Sequence, residues 1–156
     1  MLKQEKDDAA AAQKLRRIMT EEIGKMSAAE KEVLGYLADA RIDMEIQTLL
    51  SPWFRYFVTY DPKPALMKVR CPALALIGEK DLQVPPKENL RAIEKALQTG
   101  GNTNYAIKEL PGLNHAFQTV QTGSGLDYAK IEETIAPAAL KEICDWISQQ
   151  AGVRSD

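Results

Sequence analysis

The chain has few of the histidine and cysteine residues that form conventional zinc sites. It contains one histidine, His115, and two cysteines, Cys71 and Cys144, among 156 residues. A conventional zinc site needs several such ligands at short spacings, and these three scattered residues do not provide them, so we predict no metal. Both cysteines lie in apolar stretches and are interpreted as small buried thiols, with a disulfide or a nucleophile as the less favoured alternatives.

Other missing features exclude further classes of function. No apolar run approaches the roughly 20 residues that span a bilayer, and the N-terminus lacks the apolar segment of a signal peptide. The net charge of −2 comes from mixed charges of both signs, which argues against a nucleic-acid-binding face. The glycine pair Gly100-Gly101 follows a predicted helix instead of opening one, so no phosphate loop and no cofactor are expected. We predict a cytoplasmic protein without membrane or nucleic-acid partners.

The central part of the chain has the pattern of two strands joined by a helix. An apolar run predicts a strand buried on both faces at about 72–78. Pro85-Pro86 and a stripe of apolar residues predict a helix at 86–99, and a second strand follows at 104–110. Strands joined by a helical crossover pair in parallel. The sequence therefore predicts the α/β class, with a short parallel sheet flanked by helices.

The rest of the chain is predicted to be mainly helical. Helices are expected at 4–24, from a capping box at Ser27 to about Ile46, from Ser51 to about Tyr60, and at 137–150. The last helix is expected to face the sheet with Leu140, Ile143, Cys144 and Ile147. A cluster of aromatic side chains either lines an acyl pocket or, in the preferred interpretation, packs in the core: Trp53, Phe54, Tyr56, Phe57 and Tyr60.

Polar residues follow both predicted strands. Asp81 comes shortly after the first strand and His115 shortly after the second. Because the carboxyl ends of neighbouring parallel strands lie at the same edge of a sheet, a carboxylate and an imidazole can meet there. Such a carboxylate holds the imidazole in one tautomer and stabilises the imidazolium that forms when the ring takes a proton. Glu79 is a rival acid closer to the strand, and the alternative is that Asp81 and His115 are ordinary turn and loop residues.

Three stretches together resemble a known family. They are GEKDLQVP at 78–85, NYAIKELPGLNHAFQ at 104–118 and YAKIEETIAPAALKEICDWI at 128–147. Their order resembles the C-terminal part of α/β-hydrolase-fold esterases of the prolyl-oligopeptidase-like type. The resemblance extends from roughly Ser51 to Ile147 and implies a partial α/β-hydrolase fold. It also implies that Asp81 is the acid and His115 the base of a Ser-His-Asp triad.

The nucleophile of that family has no counterpart in this sequence. The family carries its serine in a G-x-S-x-G turn, whereas Gly123-Ser124-Gly125 has the wrong spacing and follows the histidine. We therefore expect a C-terminal portion of a carboxylic ester hydrolase that is inactive alone, its N-terminal half with the serine being missing. Ser124 or Ser51 as a replacement nucleophile is disfavoured. The alternative is a non-enzymatic, hydrolase-derived domain that acts through homo-oligomerisation or partner binding.

The resemblance also divides the chain and predicts an assembly. It implies a helical cap-like region at 1–50, a hydrolase segment at 51–152 and a tail at 153–156. In the family, the strand at 72–78 pairs on both sides, and one of its neighbours is absent here. An open strand edge is a template for association, so we expect a homodimer through sheet edge 72–78 and the cap helices. The alternative is a monomer whose N-terminal helices cover that edge.

Overall fold

The computed structural model describes residues 5, 7–33, 39–122, 128 and 131–152. The chain divides into two compact units, Met1–Asp61 and Pro62–Asp156. The aromatic helix that follows Ser51 therefore belongs to the first unit, whereas the resemblance assigned it to the hydrolase segment. None of the helices in the described part is long and apolar enough to cross a bilayer.

The described part of the first unit is helical. It comprises α1 (Asp8–Gly24), α2 (Ala28–Val33), α3 (Asp39–Leu50) and α4 (Pro52–Thr59). The second helix was predicted to run unbroken to about Ile46, but residues 34–38 lie outside the described residues and α3 continues to Leu50. A core cluster of Leu15, Ile42 and Ile46 holds α1 against α3.

Side-chain hydrogen bonds cap the N-termini of α1 and α2. Asp7 caps α1, because its Oδ1 accepts the main-chain N–H groups of Ala9 and Ala10. The predicted capping box is present, since Ser27 N donates to Glu30 Oε2 and Glu30 N donates to Ser27 Oγ.

The aromatic side chains of α4 are mostly exposed. Trp53, Tyr56, Phe57 and Tyr60 are between 48% and 68% exposed, and the rings of Trp53 and Phe57 stack with centroids 5.5 Å apart. The preferred interpretation of these side chains as core residues is therefore wrong. Phe54 alone among the five is half-buried. Helical spacing places these five residues on one side of the helix, but it could not indicate whether another part of the chain covers that side.

The second unit has the predicted strand–helix–strand–helix order. It comprises α5 (Lys63–Leu66), β1 (Ala73–Gly78), α6 (Pro86–Thr99), β2 (Tyr105–Leu110) and α7 (Pro137–Ala151). The two strands pair in parallel, with Ala73 beside Tyr105 and Gly78 beside Leu110. The α/β class is thus confirmed. Both strands end at the same edge of the sheet, which carries the loops with Asp81 and His115.

The sheet is covered less completely than the sequence predicted. Leu110, Leu113, Ala136 and Ala139 form a core cluster, but four of the six residues of β1 are half-buried. On α7, Leu140 and Ile147 are 46% and 55% exposed, so the sheet buries neither of these two residues of the predicted sheet-facing stripe. A sheet of two strands is not wide enough to cover the whole apolar face of α7.

Both cysteines are exposed, which overturns their interpretation as buried thiols. Cys71 lies two residues before β1, and Cys144 lies within α7. The apolar sequence around each residue correctly indicated a strand and a helix. It could not indicate that those elements lack cover in the described part of the chain.

Candidate functional site

The turn after β1 carries a carboxylate that is buried and fully oriented. Asp81 is 6% exposed, and its main-chain N–H donates to the carbonyl of Gly78 in a tight turn. Its Oδ1 accepts the main-chain N–H groups of Gln83 and Val84, both at 2.8 Å. These bonds fix the carboxyl group so that Oδ2 is directed away from the turn. Asp side chains commonly bond the main chain a few residues ahead, which explains why an aspartate suits this position.

The free oxygen of this carboxylate meets the histidine. His115 Nδ1 lies 2.8 Å from Asp81 Oδ2, so the sequence prediction that these two residues come together is consistent with the geometry. An ionised carboxylate can only accept hydrogen bonds, and the ring therefore carries its proton on Nδ1. Nε2 is left with a lone pair, and the His115 side chain is 45% exposed. The pair thus joins a buried carboxylate to a partly exposed imidazole.

The surroundings of Asp81 favour its ionised form. Burial by itself raises the pKa of this carboxyl group, because desolvation disfavours the charge. Hydrogen bonds from Val84, His115 and Gln83, together with the charge of a protonated His115, outweigh burial and bring the pKa below its usual range. Asp81 is therefore a carboxylate at neutral pH and stabilises an imidazolium on His115.

The rival acid has a different role. Glu79 Oε2 accepts the main-chain N–H of Gly112 at 2.9 Å, and Glu79 N donates to the carbonyl of Leu110. Lys80 N donates to the carbonyl of Leu113 in the same way. Glu79 therefore joins the turn after β1 to the loop after β2, and it is Asp81 that bonds the imidazole.

The loop of His115 is closed by residues that the sequence reasoning missed. Asn114 is fully buried, and its Oδ1 accepts the N–H groups of Ala116 and Gln118, both at 2.9 Å. Phe117 has a positive φ of 56°, a conformation that costs a non-glycine residue about 1–3 kcal/mol. The available signal was an asparagine after the Pro-Gly turn, since asparagine stabilises turns by bonding the main chain ahead of it.

Gly78 makes the approach of the two loops possible. A Cβ atom at this position would lie 2.2 Å from the carbonyl oxygen of Leu113 and 2.6 Å from that of Asn114. Only glycine fits such a contact without displacing main chain. The glycine was read from the sequence as the end of a strand, and its packing role needed the partner loop to be known.

Among the described residues, no serine hydroxyl is hydrogen-bonded to His115. Ser51 lies in the other compact unit and caps α4, where its Oγ accepts the N–H of Phe54 and donates to the carbonyl of Thr48. Ser124 falls outside the described residues. The described part of the chain also holds no group of histidine, cysteine and acidic side chains placed to bind a metal ion.

A pocket of about 510 Å³ lies beside Asp81 at the same edge of the sheet. It is lined by Leu82 and the two prolines that open α6, and by a group of acidic side chains: Glu79, Glu88 and Glu109. Asp81 lines this space, and His115 is not among its lining residues. No family model matches the chain, and no curated protein and no solved structure matches it either.

Proposed function

We propose that this chain is the C-terminal portion of a carboxylic ester hydrolase of the α/β-hydrolase type. The observation that carries the proposal is the 2.8 Å contact between His115 Nδ1 and the oriented carboxylate of Asp81, at the carboxyl ends of two parallel strands. In this proposal the chain supplies the acid and the base. A serine on another polypeptide segment supplies the nucleophile, so the chain alone is inactive.

The proposed mechanism uses the free nitrogen of the imidazole. Nε2 takes the proton of the serine hydroxyl while its oxygen attacks the ester carbonyl carbon. Asp81 stabilises the resulting imidazolium through the Nδ1 hydrogen bond. The imidazolium then gives the proton to the departing alkoxide, and an acyl-enzyme remains. Water then gives a proton to Nε2 and attacks the acyl carbon. The bond to the serine oxygen breaks, the imidazolium returns the proton to that oxygen, and the carboxylic acid product leaves.

The experiment begins with the coding region immediately upstream of the chain. We expect it to encode a G-x-S-x-G turn, and the joined protein should hydrolyse a p-nitrophenyl ester with a burst that a serine-directed phosphonate abolishes. Asp81→Asn should lower kcat by about 10⁴-fold, and His115→Ala should have an effect at least as large. The chain without that segment should show no burst.

Glu79→Gln is the matched control, since Glu79 is a neighbouring carboxylate that bonds main chain and not the imidazole. It should leave kcat close to the parent value. The proposal is wrong if Glu79→Gln abolishes the burst while Asp81→Asn retains it. It is equally wrong if the isolated chain shows a burst that requires Ser124 or Ser51.

A second candidate function has an observation of its own. Within the described residues, β1 is paired on one edge alone, and an apolar groove of about 440 Å³ runs between it and α7. Leu74 and Leu76 of β1 and Ile143, Trp146 and Ile147 of α7 line this groove. Both features favour a non-enzymatic domain that associates with a second copy of itself through this edge, which sedimentation measurements can test.

A further inference from the structure

Asn114 lies at the base of the loop that carries His115 and is 0% exposed. Its Oδ1 accepts two main-chain N–H groups, from Ala116 and Gln118, which lie on either side of Phe117. Its Nδ2 donates to Gln118 Oε1 at 3.0 Å. Every polar atom of this buried side chain is thus committed to the loop that follows it.

The main chain of the same residue closes the loop as well. Asn114 N donates to the carbonyl of Gln118, and Phe117 N donates to the carbonyl of Asn114, both at 3.0 Å. The strained Phe117 is held at its other end by Ala136, whose N–H donates to the Phe117 carbonyl at 2.8 Å. His115 lies inside this closed loop, directly after the asparagine.

Among the described residues, the imidazole of His115 has one hydrogen-bond partner, Asp81. The ring is exposed, and the bond from Nδ1 to Asp81 joins it to the rest of the unit. One hydrogen bond to an exposed ring does not restrict its position strongly, because water competes for the same nitrogen. The direction of the ring must therefore come from the main chain of its loop, which Asn114 determines.

We propose that Asn114 is a positioning residue that keeps His115 Nδ1 on Asp81 by fixing the main chain of residues 114–118. The inference rests on the proposed function, in which this pair acts as acid and base. Without the Asn114 side chain, two partly buried N–H groups lose their acceptor and the loop opens toward solvent. The imidazole then exchanges its carboxylate partner for water.

The chain offers a matched control in Asn102. This residue is 5% exposed and also bonds main chain through both side-chain atoms: Nδ2 donates to the carbonyls of Val69 and Cys71, and Oδ1 accepts from Asn104 N. It lies at the opposite end of the same strands. Asn102→Ala should therefore destabilise the unit comparably without touching the site.

The test uses the fact that the chain has a single histidine. In protein labelled with ¹⁵N-histidine, the two ring nitrogens report directly which one carries the proton. At about pH 8.5, well above the ordinary imidazole titration range, the parent chain should hold the proton on Nδ1. In Asn114→Ala the ratio of Nδ1–H to Nε2–H should fall by about tenfold, the factor expected for losing a hydrogen bond to a charged acceptor.

Two further variants define the effect. Asn114→Asp retains an oxygen for the two N–H groups but loses the donor to Gln118, so its ratio should fall less than that of Asn114→Ala. Asn102→Ala should leave the ratio unchanged despite its lower stability. If Asn114→Ala does not fold, Gln118→Ala, which removes the partner of Nδ2, should lower the ratio by a smaller factor. An unchanged ratio in Asn114→Ala, or in Gln118→Ala if that variant is needed, overturns the inference.

Asp81→Asn separates this inference from the proposed function. If Asp81→Asn changes the ratio and Asn114→Ala does not, the acid–histidine pair stands and the role of Asn114 is wrong. If Asp81→Asn itself leaves the ratio unchanged, the pair does not exist in solution, and both proposals fail. An equal fall in Asn114→Ala and Asn102→Ala contradicts a positioning role, because general loss of stability then explains the change.

Discussion

Glu79 and Asp81 carry the same functional group two positions apart, yet one bonds main chain and the other bonds the imidazole. The difference comes from the turn between them. Glu79 still continues the strand, since its N–H pairs with the carbonyl of Leu110, and its carboxylate reaches Gly112. Asp81 follows the turn at Gly78, and its shorter side chain bonds Gln83 and Val84. The position of Asp81 in the sequence favoured it as the acid, but the group that donates to each carboxylate depends on main-chain directions that only the folded turn provides.

Asp81→Asn should remove a pH-dependent part of the stability of the second unit. Because the pKa of Asp81 is lowered on folding, its contribution is complete above the ordinary aspartate pKa of about 3.9 and is lost as the pH falls through the lowered folded value. We expect the variant to lose about 1–3 kcal/mol at neutral pH and to approach the parent in acid. Urea unfolding can be followed through Trp146 in a Trp53→Phe background, since Trp53 is 68% exposed in the other unit.

His115→Gln serves as the comparison for this measurement. It retains the N–H groups of Gln83 and Val84 as donors to the carboxylate and removes only the imidazole. The pH-dependent difference from the parent should then be smaller than for Asp81→Asn. Unfolding free energies of the parent and Asp81→Asn that stay parallel down to about pH 2 would show that the carboxyl group is not stabilised in its ionised form.

The elements of the second unit were predictable because turn residues mark their ends. Pro85-Pro86 opens α6, Gly100 follows it, and Pro111-Gly112 follows β2, so the observed bounds agree closely with the predicted ones. The exposure of these elements was not predictable in the same way. An apolar stripe on α7 shows that the helix is amphipathic, but the width of the sheet decides how much of the stripe is covered. The hydrogen-bonded loop at Asn114 was not predicted, because no periodic pattern in the sequence marks the residues that its hydrogen bonds join.

Gly78→Ala should separate the two loops at the end of the sheet. The added Cβ meets the carbonyl oxygens of Leu113 and Asn114 at 2.2 and 2.6 Å, and both belong to main chain that cannot rotate away. We expect a loss of about 1–3 kcal/mol in unfolding free energy, the usual cost of overpacking. Urea denaturation of the second unit measures this cost.

Gly24→Ala is the control for the effect of adding a methyl group. A Cβ at Gly24 meets nothing within 4 Å at the end of α1, so this change should be neutral or stabilise by up to about 1 kcal/mol. A Gly78→Ala protein as stable as the parent would mean that the two loops do not approach each other this closely.

At the scale of the whole molecule, each unit has its own core and its own uncovered apolar surface. In the second unit this surface includes the edge of β1 that no other strand of the described residues pairs with. Ala73 N and Glu79 N donate toward β2, so by alternation the main-chain groups of Leu74 and Leu76 point away from the pair. Residues of this strand are apolar on both faces, which is typical of a strand inside a sheet. The homodimer predicted through sheet edge 72–78 and the cap helices remains a proposal that these features support.

The assembly proposal has a direct test in solution. Sedimentation equilibrium across a dilution series should show a dimer at micromolar concentration, since unpaired edges promote strand pairing. Leu76→Pro removes an N–H on the open side and should give a monomer with unchanged helix content. Ala75→Pro is the control, because its N–H faces β2, and it should damage the sheet itself. A parent chain that is monomeric at these concentrations rules the dimer out.

The main-chain bonds between the two loops have a consequence for the timescale of site motions. The N–H groups of Glu79 and Lys80 donate to the carbonyls of Leu110 and Leu113. In return, the N–H of Gly112 donates to the Glu79 carboxylate. Loops joined in this way open only when the strands themselves separate, so their amides should exchange with deuterium as slowly as those of β1 and β2. Acid and base thus belong to one cooperative unit. A ligand that binds there meets a surface already in its final arrangement and loses little affinity to ordering it.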